Sequence, residues 1–584
     1  MAKKNPKTQK SVTAKTGNQK SSSIHATNQP LYFIFIITFI VFIPSLSAQF
    51  VIWDDPEFIY NNPIVVNASI DNLFQTIKEI FSTTSLGAYS PLVIVSFVIE
   101  KIIFGLEHPF FWHLDNVLLH LVCVYFVFRI CKLLQFSPLV SFLVALLFGI
   151  HPMHVESVAW VTERKDVLFS AFYLGALLMY IKSKKEEKRK YVLLVYILFL
   201  LSLFSKIQAV SFPLSILVID YIIDGKISRK TLRDVLPFFL LSIGIGFIGI
   251  YILAHQAVLV TNVLSFPNRI ILGLYSIVIY GIKSLIPYQL VALYPYPTSI
   301  PAYMYASVII ITVVLALVYG AWKQHNKNIV AATCFFFFNI LFVLQVLTAG
   351  QGYLADRYAY IPYLGLFIVY GVFYEKLESR FPAQKNNLRL LLTIYLVALA
   401  YIAFQQNKVW QDTETLWTHV LKYYPDQSTP YINRAIYYYK TQAYDKSLSD
   451  YTKAIALEPN NADLYQGRAK VYFEISGNDK ALLLQALEDC NKAILLKNNV
   501  AEYYNNRANV YGKLNDLETA LLNVNKSISL DPNYADAYIT RYRIYHMQNK
   551  MEDAMKDEEK YLSLKPDDDA IRANLENQKR SLHK

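Results

Sequence analysis

From Leu31 to about Phe404 long apolar runs alternate with short polar gaps, and beyond Gln405 the long runs stop. A run of about 20 apolar residues matches the hydrocarbon thickness of a bilayer, so each predicts a membrane-spanning helix. About twelve such segments can be placed: near 31–51, 110–133, 138–150, 166–182, 191–205, 207–223, 235–254, 269–286, 302–322, 329–348, 358–375 and 389–405. The polar, Tyr-rich remainder shows a period of about 34 residues, the mark of stacked helix-turn-helix units. Pro425 and Pro459 stand one period apart, as do Pro532 and Pro566. Ala435, Tyr438, Tyr451, Ala454 and Pro459 recur as Ala508, Tyr511, Val524, Ser527 and Pro532, and Ala520 recurs as Ala554.

These units resemble tetratricopeptide repeats. Four of them, over 428–569, follow a linker and leading helix at 406–427 (the helix covering Thr413 to Tyr424), and residues 570–584 form a C-terminal helix or tail. The unit at 462–499 carries about five extra residues near Leu482 to Gln485, and Asn498 where the period places proline. Stacked units bury a continuous core and present a concave face, for which a protein or peptide is the expected ligand. The many tyrosines, such as Tyr437, Tyr438 and Tyr439, also suit stacking on sugars, although helix packing accounts for most of them.

Charge adds the topology. Lys and Arg exceed Asp and Glu by 12, and the surplus lies in the N-terminal part rather than on a basic soluble face, which argues against nucleic-acid binding. Residues 1–30, with Lys3, Lys4, Lys7, Lys10, Lys15 and Lys20 and no acid, read as a disordered cytoplasmic tail. Basic loops stay on the cytoplasmic side, which places Lys182 to Lys190, Lys226 to Arg233, Lys323 to Lys327 and Lys376 to Arg389 inside. The acidic stretch Ile52 to Pro109, the short loop His151 to Asp166 and the loop Tyr353 to Pro362 then fall outside. Holding both Lys226–Arg233 and Lys323–Lys327 inside leaves three apolar segments between them, an odd number, so one must be re-entrant or interfacial. The stretch 255–286, with His255, Pro267, Arg269 and Lys283, is the expected one. About eleven crossings of a membrane body at 31–405 then put the repeats outside. Cys123, Cys131, Cys334 and Cys490 show no spacing of a disulfide scaffold or zinc site.

Candidate chemistry gathers on the outer side. Asp54 and Asp55, in Trp53-Asp54-Asp55-Pro56-Glu57, are adjacent carboxylates, and like charges in proximity raise one pKa, which suits a general base. In the run His151 to Asp166, His151, His154 and Glu156 are possible ligands of a divalent metal, although not in HExxH spacing. Arg164 and Lys165 suit a phosphate, the first by its fork and the second as a point charge. Lys206 and Arg357 each bring a cation to the outer face. Asp166 closes the run, and His113, Asn116 and His120 share one helical face, lining a polar interior or joining helices by hydrogen bonds.

Trp53-Asp54-Asp55, His113-x-x-Asn116-x-x-x-His120, the run His151 to Asp166 and Arg357-Tyr358-x-Tyr360-x-Pro362 resemble, in the same order, the transmembrane and tetratricopeptide-repeat-containing O-mannosyltransferases and their bacterial relatives. The resemblance implies an all-α, polytopic helical bundle of the C-type glycosyltransferase fold with the repeat solenoid behind it. It implies a polyprenyl- or dolichyl-phosphate sugar donor, a protein or glycan acceptor and inversion at the anomeric carbon. Asp54 then matches the base with Asp55 orienting, and Arg164, with Arg357 as partner, matches the holder of the donor phosphate. No cofactor is called for. The expected place is a bacterial inner membrane, or the endoplasmic reticulum in a eukaryote. Two other readings are an envelope polysaccharide polymerase or ligase, whose catalytic loop is expected late in the membrane body, and a non-enzymatic membrane scaffold for partners of the repeats.

Overall fold

The computed structural model describes residues 29–82, 89–255, 264–347, 352–566 and 568–582, so most of the basic tail lies outside the described residues. Each of the twelve apolar segments coincides with a helix, from Gln29–Phe42 through Pro109–Leu133, Pro138–Ile150, Arg164–Glu186, Arg189–Ser205 and Phe212–Asp224 to Lys385–Val409. Proline opens two of them, at Pro109 and Pro138, and also the helix Pro91–Phe104 within the stretch read as an outer loop; its missing N–H deprives no carbonyl of a partner there. Among the described residues seven helices are long and apolar enough to cross a bilayer, or eight if Pro138–Ile150 and Pro152–Ala159 form one bent span. The count is lower than the apolar runs predict because several helices are short, such as Lys327–Ile340 with 14 residues. Close packing accommodates them. A Cβ on Gly365 would stand 2.3 Å from Ala332 O, so glycine is what lets the helix Tyr363–Arg380 approach Lys327–Ile340 this closely.

The helix Phe266–Lys283 dips into the bundle and turns back. Near its start Arg269 Nη1 donates to Val346 O at 3.2 Å. At its far end Tyr395 OH donates to Leu285 O at 2.9 Å, and Ser284 Oγ and Tyr370 OH share a 2.5 Å bond. Tyr370 and Tyr395 lie well inside their own helices. The chain then climbs to Leu290, whose carbonyl accepts from Gln406 Nε2 at 3.2 Å and His419 Nε2 at 3.0 Å. Tyr294–Pro295 pairs antiparallel with Gly352–Leu354, a two-stranded ribbon in an otherwise helical fold. Beneath it Lys283 is buried against Asp356 at 3.4 Å and Tyr294 OH at 2.5 Å.

The last membrane helix runs to Val409, beyond the boundary at residue 405, because its polar end is paired. Fully buried Asn407 donates to Ala403 O and to Val41 O, at 2.9 and 3.1 Å. The first and last membrane helices therefore end together, on one face. After three intervening residues the lead helix Thr413–Leu421 begins, capped by Asp412.

The solenoid follows as helix pairs from Ser428–Lys440 and Tyr444–Leu457 to Ala535–Met547 and Met551–Leu564. The inserted residues lengthen Lys480–Leu496 to 17 residues against 14 in Tyr444–Leu457. An unpredicted feature ties the units together. Arg434 forks onto Asp450 at 2.7 and 2.8 Å, Arg468 onto Asp489 at 2.8 and 2.9 Å, and Arg541 onto Asp557 at 2.7 Å. Each arginine also reaches back one unit, to Thr418, Thr452 and Asn525 respectively. In the third unit Arg507 uses Asn523 and Asn491 instead. The signal was present in the sequence as arginines one period apart, obscured by the insertion.

Candidate active site

The stretch His151 to Asp166 is not an exposed loop. It is a chain of short turns, Pro152–His154, Val155–Ala159 and Val161–Glu163, that passes into Arg164–Glu186, and nearly all of it is buried. The 52° bend at its start falls where Pro152 interrupts the helix and His151 Nδ1 accepts from Met153 N. Burial of so many charges is possible because each finds a partner.

Glu163, only 1% exposed, is the hub. Its carboxylate lies 3.1 Å from Lys165, 3.5 Å from Lys206 and 3.3 Å from Arg357. Asp166 holds Lys206 at 2.5 Å and accepts from Ser157 Oγ at 3.1 Å. Glu156 pairs with the Arg357 guanidinium and accepts its backbone N–H at 3.1 Å. The carboxylates sit behind and the three cations in front, each keeping 14–17% of its side chain exposed. They face a cavity of about 230 Å³, whose other walls include Ile245, Ile248, Gly249 and Ile252 of the helix Arg229–His255 together with Tyr89 and Tyr358. Fixed cations at one end and an aliphatic helix along the side match a lipid whose head is anionic. Sequence reasoning gave Glu163 no role, since nothing in the run says which of its acids faces three cations from separate segments.

Asp54 joins this cluster and Asp55 does not. Asp54, 28% exposed, lies 3.5 Å from Lys165 Nζ. Asp55, 1% exposed, accepts from Val51 N at 2.7 Å, Trp160 Nε1 at 2.9 Å and Thr162 N at 3.3 Å, and also from the Thr162 hydroxyl. One acid is available to a ligand, and the other is built into the wall. Burial pushes the Asp55 carboxyl up to about 6 from its ordinary 3.8, against the pull of its donors. The folded state thus binds a proton more tightly than the unfolded chain. This group's contribution to stability is complete below about pH 4 and lost as pH rises through about 6. Amide exchange over residues 49–55, corrected for its intrinsic pH dependence, is expected to quicken between pH 5 and 7.5 in the native chain and to stay level in Asp55→Asn. A level profile in both removes the assigned shift.

Arg164 is the correction. It was expected on the donor phosphate, but its side chain is fully buried on the opposite side of the turn, over the Phe97 ring at 5.0 Å. It pairs with Glu100, lies 3.5 Å from Asp115, and donates to Asn116 Oδ1 at 2.9 Å and Trp112 O at 2.7 Å. Each of its three nitrogens is engaged within the fold. Asn116 Nδ2 in turn holds Val158 O and Trp160 O at 3.2 and 3.1 Å, and His120 bridges Tyr360 OH and Gly149 O at 2.6 and 3.1 Å. Asn116 and His120 on this helical face thus join segments by hydrogen bonds, with His113 buried beside them.

The three possible metal ligands do not converge. His151 spends both ring nitrogens on Met153 N and Ser284 O, His154 bonds Phe148 O at 2.8 Å, and Glu156 is held by Arg357. Among the described residues no three such side chains cluster as a metal site. His151 and His154 instead pack among His120, Phe148, Tyr360 and Phe367.

A helical membrane body with a buried cluster of acids and cations at one face, joined directly to a repeat solenoid, defines a multi-span membrane protein with C-terminal tetratricopeptide repeats. Residues 102–255 match the family described as dolichyl-phosphate-mannose-protein mannosyltransferase, and residues 429–461 and 501–534 match tetratricopeptide repeats. The chain is similar to curated protein O-mannosyl-transferases. It is 24% identical to the protein O-mannosyl-transferase F38B6.6 of Caenorhabditis elegans, over 74% of this chain and 63% of that protein. It is 32% identical to the human protein O-mannosyl-transferase TMTC4, over 26% of this chain and 23% of that one. The chain thus spans less than two thirds of the curated relatives it matches. Among solved structures, the crystal structure of MamA covers 26% of this chain and 86% of its own at 21% identity, with a TM-score of 0.24.

Proposed function

We propose that this protein is a membrane glycosyltransferase that moves a sugar from a polyprenyl- or dolichyl-phosphate donor to an acceptor hydroxyl, with a protein as acceptor and mannose as the first sugar to test. The observation that carries this is Asp54 standing 3.5 Å from Lys165, one of three cations that line a cavity with aliphatic residues along its side. The donor phosphate lies against Lys165, Lys206 and Arg357, and its isoprenoid runs along Ile245, Ile248 and Ile252. Asp54 takes the proton of the acceptor hydroxyl as its oxygen attacks the anomeric carbon. The bond from that carbon to the phosphate oxygen breaks, the lipid phosphate leaves with the electron pair, and attack from the opposite side inverts the configuration. The cations stabilise charge developing on the leaving phosphate, the electrostatic share of such catalysis.

The site faces the extracytoplasmic side in this proposal, with about eleven crossings behind it, because the basic loops mark the other face as cytoplasmic. The repeats leave the bundle on the site's face and serve to recruit the acceptor. Their groove, about 560 Å³ and lined by Tyr439, Phe473, Asn505, Asn509 and Tyr534, supports that role.

The test is direct. Purified protein in lipid nanodiscs, given a polyprenyl-phosphate mannose with a labelled sugar and a Ser/Thr-rich polypeptide, is expected to release lipid phosphate and label the polypeptide. No transfer from mannosyl, glucosyl or galactosyl donors defeats the proposal. Glu163→Gln weakens the hub under all three cations, and donor KM is expected to rise about tenfold while kcat changes less. An unchanged KM removes Glu163 from donor binding.

A further inference from the structure

The segment that carries Asp54 is held in place by residues more than 350 positions later. Ile52, two residues before Asp54, has both polar groups of its backbone taken by the repeats' lead helix. Its N–H donates to Thr413 Oγ1 at 2.9 Å, and its carbonyl accepts from Trp417 Nε1 at 3.0 Å. Just upstream, Gln49 N donates to Gln411 O at 2.8 Å. Trp53 is placed between Trp160, stacked at 5.1 Å, and Trp417 at 4.9 Å, and Trp160 stacks again on Trp410 at 5.3 Å. Trp160 also donates to Asp55, so the stack and the acid pair form one assembly. Trp417, Leu416 and Val420 are fully buried, and Trp410 nearly so. The lead helix is anchored independently, by Asp412 at its cap and by His419 on Leu290 O.

We propose that Thr413 and Trp417 are positioning residues for Asp54. The soluble repeats thereby complete a site whose other groups all come from the membrane body, and a change in the lead helix reaches the base. The proposal rests on Asp54 acting as the base, as set out above. Its physical content is a tolerance: an intramolecular proton acceptor displaced by about 1 Å loses on the order of 100-fold in rate. The hydrogen bonds that fix the Ile52 peptide are the means of avoiding that loss. Neither residue reaches the cavity or any cation, so donor binding is separable from the effect.

The experiment uses the full chain in nanodiscs and three substitutions. Thr413→Val removes the acceptor oxygen at equal volume, Thr413→Ser keeps it, and Trp417→Phe keeps an aromatic ring while removing the N–H. Two quantities are read on each: amide exchange over residues 49–55, and kcat with donor KM for transfer from a polyprenyl-phosphate sugar. In Thr413→Val and Trp417→Phe, exchange is expected to quicken about tenfold and kcat to fall about tenfold, with donor KM within about twofold of native and Thr413→Ser close to native in both. Unchanged exchange in Thr413→Val overturns the clamp. Faster exchange with native kcat in an active enzyme overturns the positioning role. If the native chain transfers no sugar at all, the base assignment fails and the positioning role with it, and the exchange data alone then decide whether the contact is a structural one.

Discussion

Asp54→Asn is expected to reduce sugar transfer by about 10²–10⁴-fold while leaving membrane insertion, folded yield and donor binding intact, because it removes a proton acceptor and nothing structural. The side chain is 28% exposed and its ion pair with Lys165 lies at 3.5 Å, so the amide fits without stranding a buried charge. Its neighbour behaves differently. Asp55→Asn replaces an acceptor of bonds from Val51, Trp160 and Thr162 with a group that is half donor. A loosened loop and lowered yield are therefore expected to accompany whatever activity is lost. Measuring transfer per folded molecule, alongside retention of a radiolabelled lipid-phosphate sugar, separates the two. Full activity in Asp54→Asn ends the base assignment. A scaffold predicts that neither substitution changes transfer.

Arg164→Gln is expected to act on stability alone. Breaking a buried ion pair by removing one partner costs about 3–5 kcal/mol, since the remaining charge stays buried. Here the cost falls near the lower end, because burial has already pushed the Glu100 carboxyl up to about 7, and it can shed its charge by taking a proton. Arg164→Lys keeps the charge but loses the fork that serves Glu100, Asn116 and Trp112 O together, so it rescues only part of the loss. Thermal unfolding in detergent is the measurement, with donor KM on the surviving fraction expected within about twofold of native. Normal stability with a raised donor KM would return Arg164 to the phosphate and displace the cluster around Glu163 as the donor site.

The membrane helices and the repeat array were legible because both are periodic. An apolar run of membrane length has few alternatives to a helix, and a proline or alanine recurring at a fixed interval marks its place in a stacked unit. The acid pair was legible as a pair, while the division of labour within it comes from the turn at Val51 to Asp55, which aims Asp55 inward at Trp160 and Thr162 and leaves Asp54 partly exposed beside Lys165. As sequence, Arg164 and Lys165 are neighbours in one run and both suit a phosphate. They are successive residues at the start of a helix, about 100° apart around its axis, so one meets Glu100 and the other meets Glu163. Nothing local in the run specifies that rotation.

The sequence by itself determined which stretches form apolar helices, that the C-terminal part is a repeat solenoid, and which residue types carry charge on the expected outer side. Those follow from composition and period, which act over a few turns of chain. Only the tertiary structure decided that Glu163 gathers Lys165, Lys206 and Arg357, that His151 and His154 pack instead of meeting at a metal, and that Thr413 and Trp417 grip the peptide before Asp54. The physical reason is common to all three. A buried charge or backbone group takes its partner from whatever the packing brings within about 3 Å. In a bundle closed by its first and last helices, Ile52 and Asn407 find that partner more than 350 residues away.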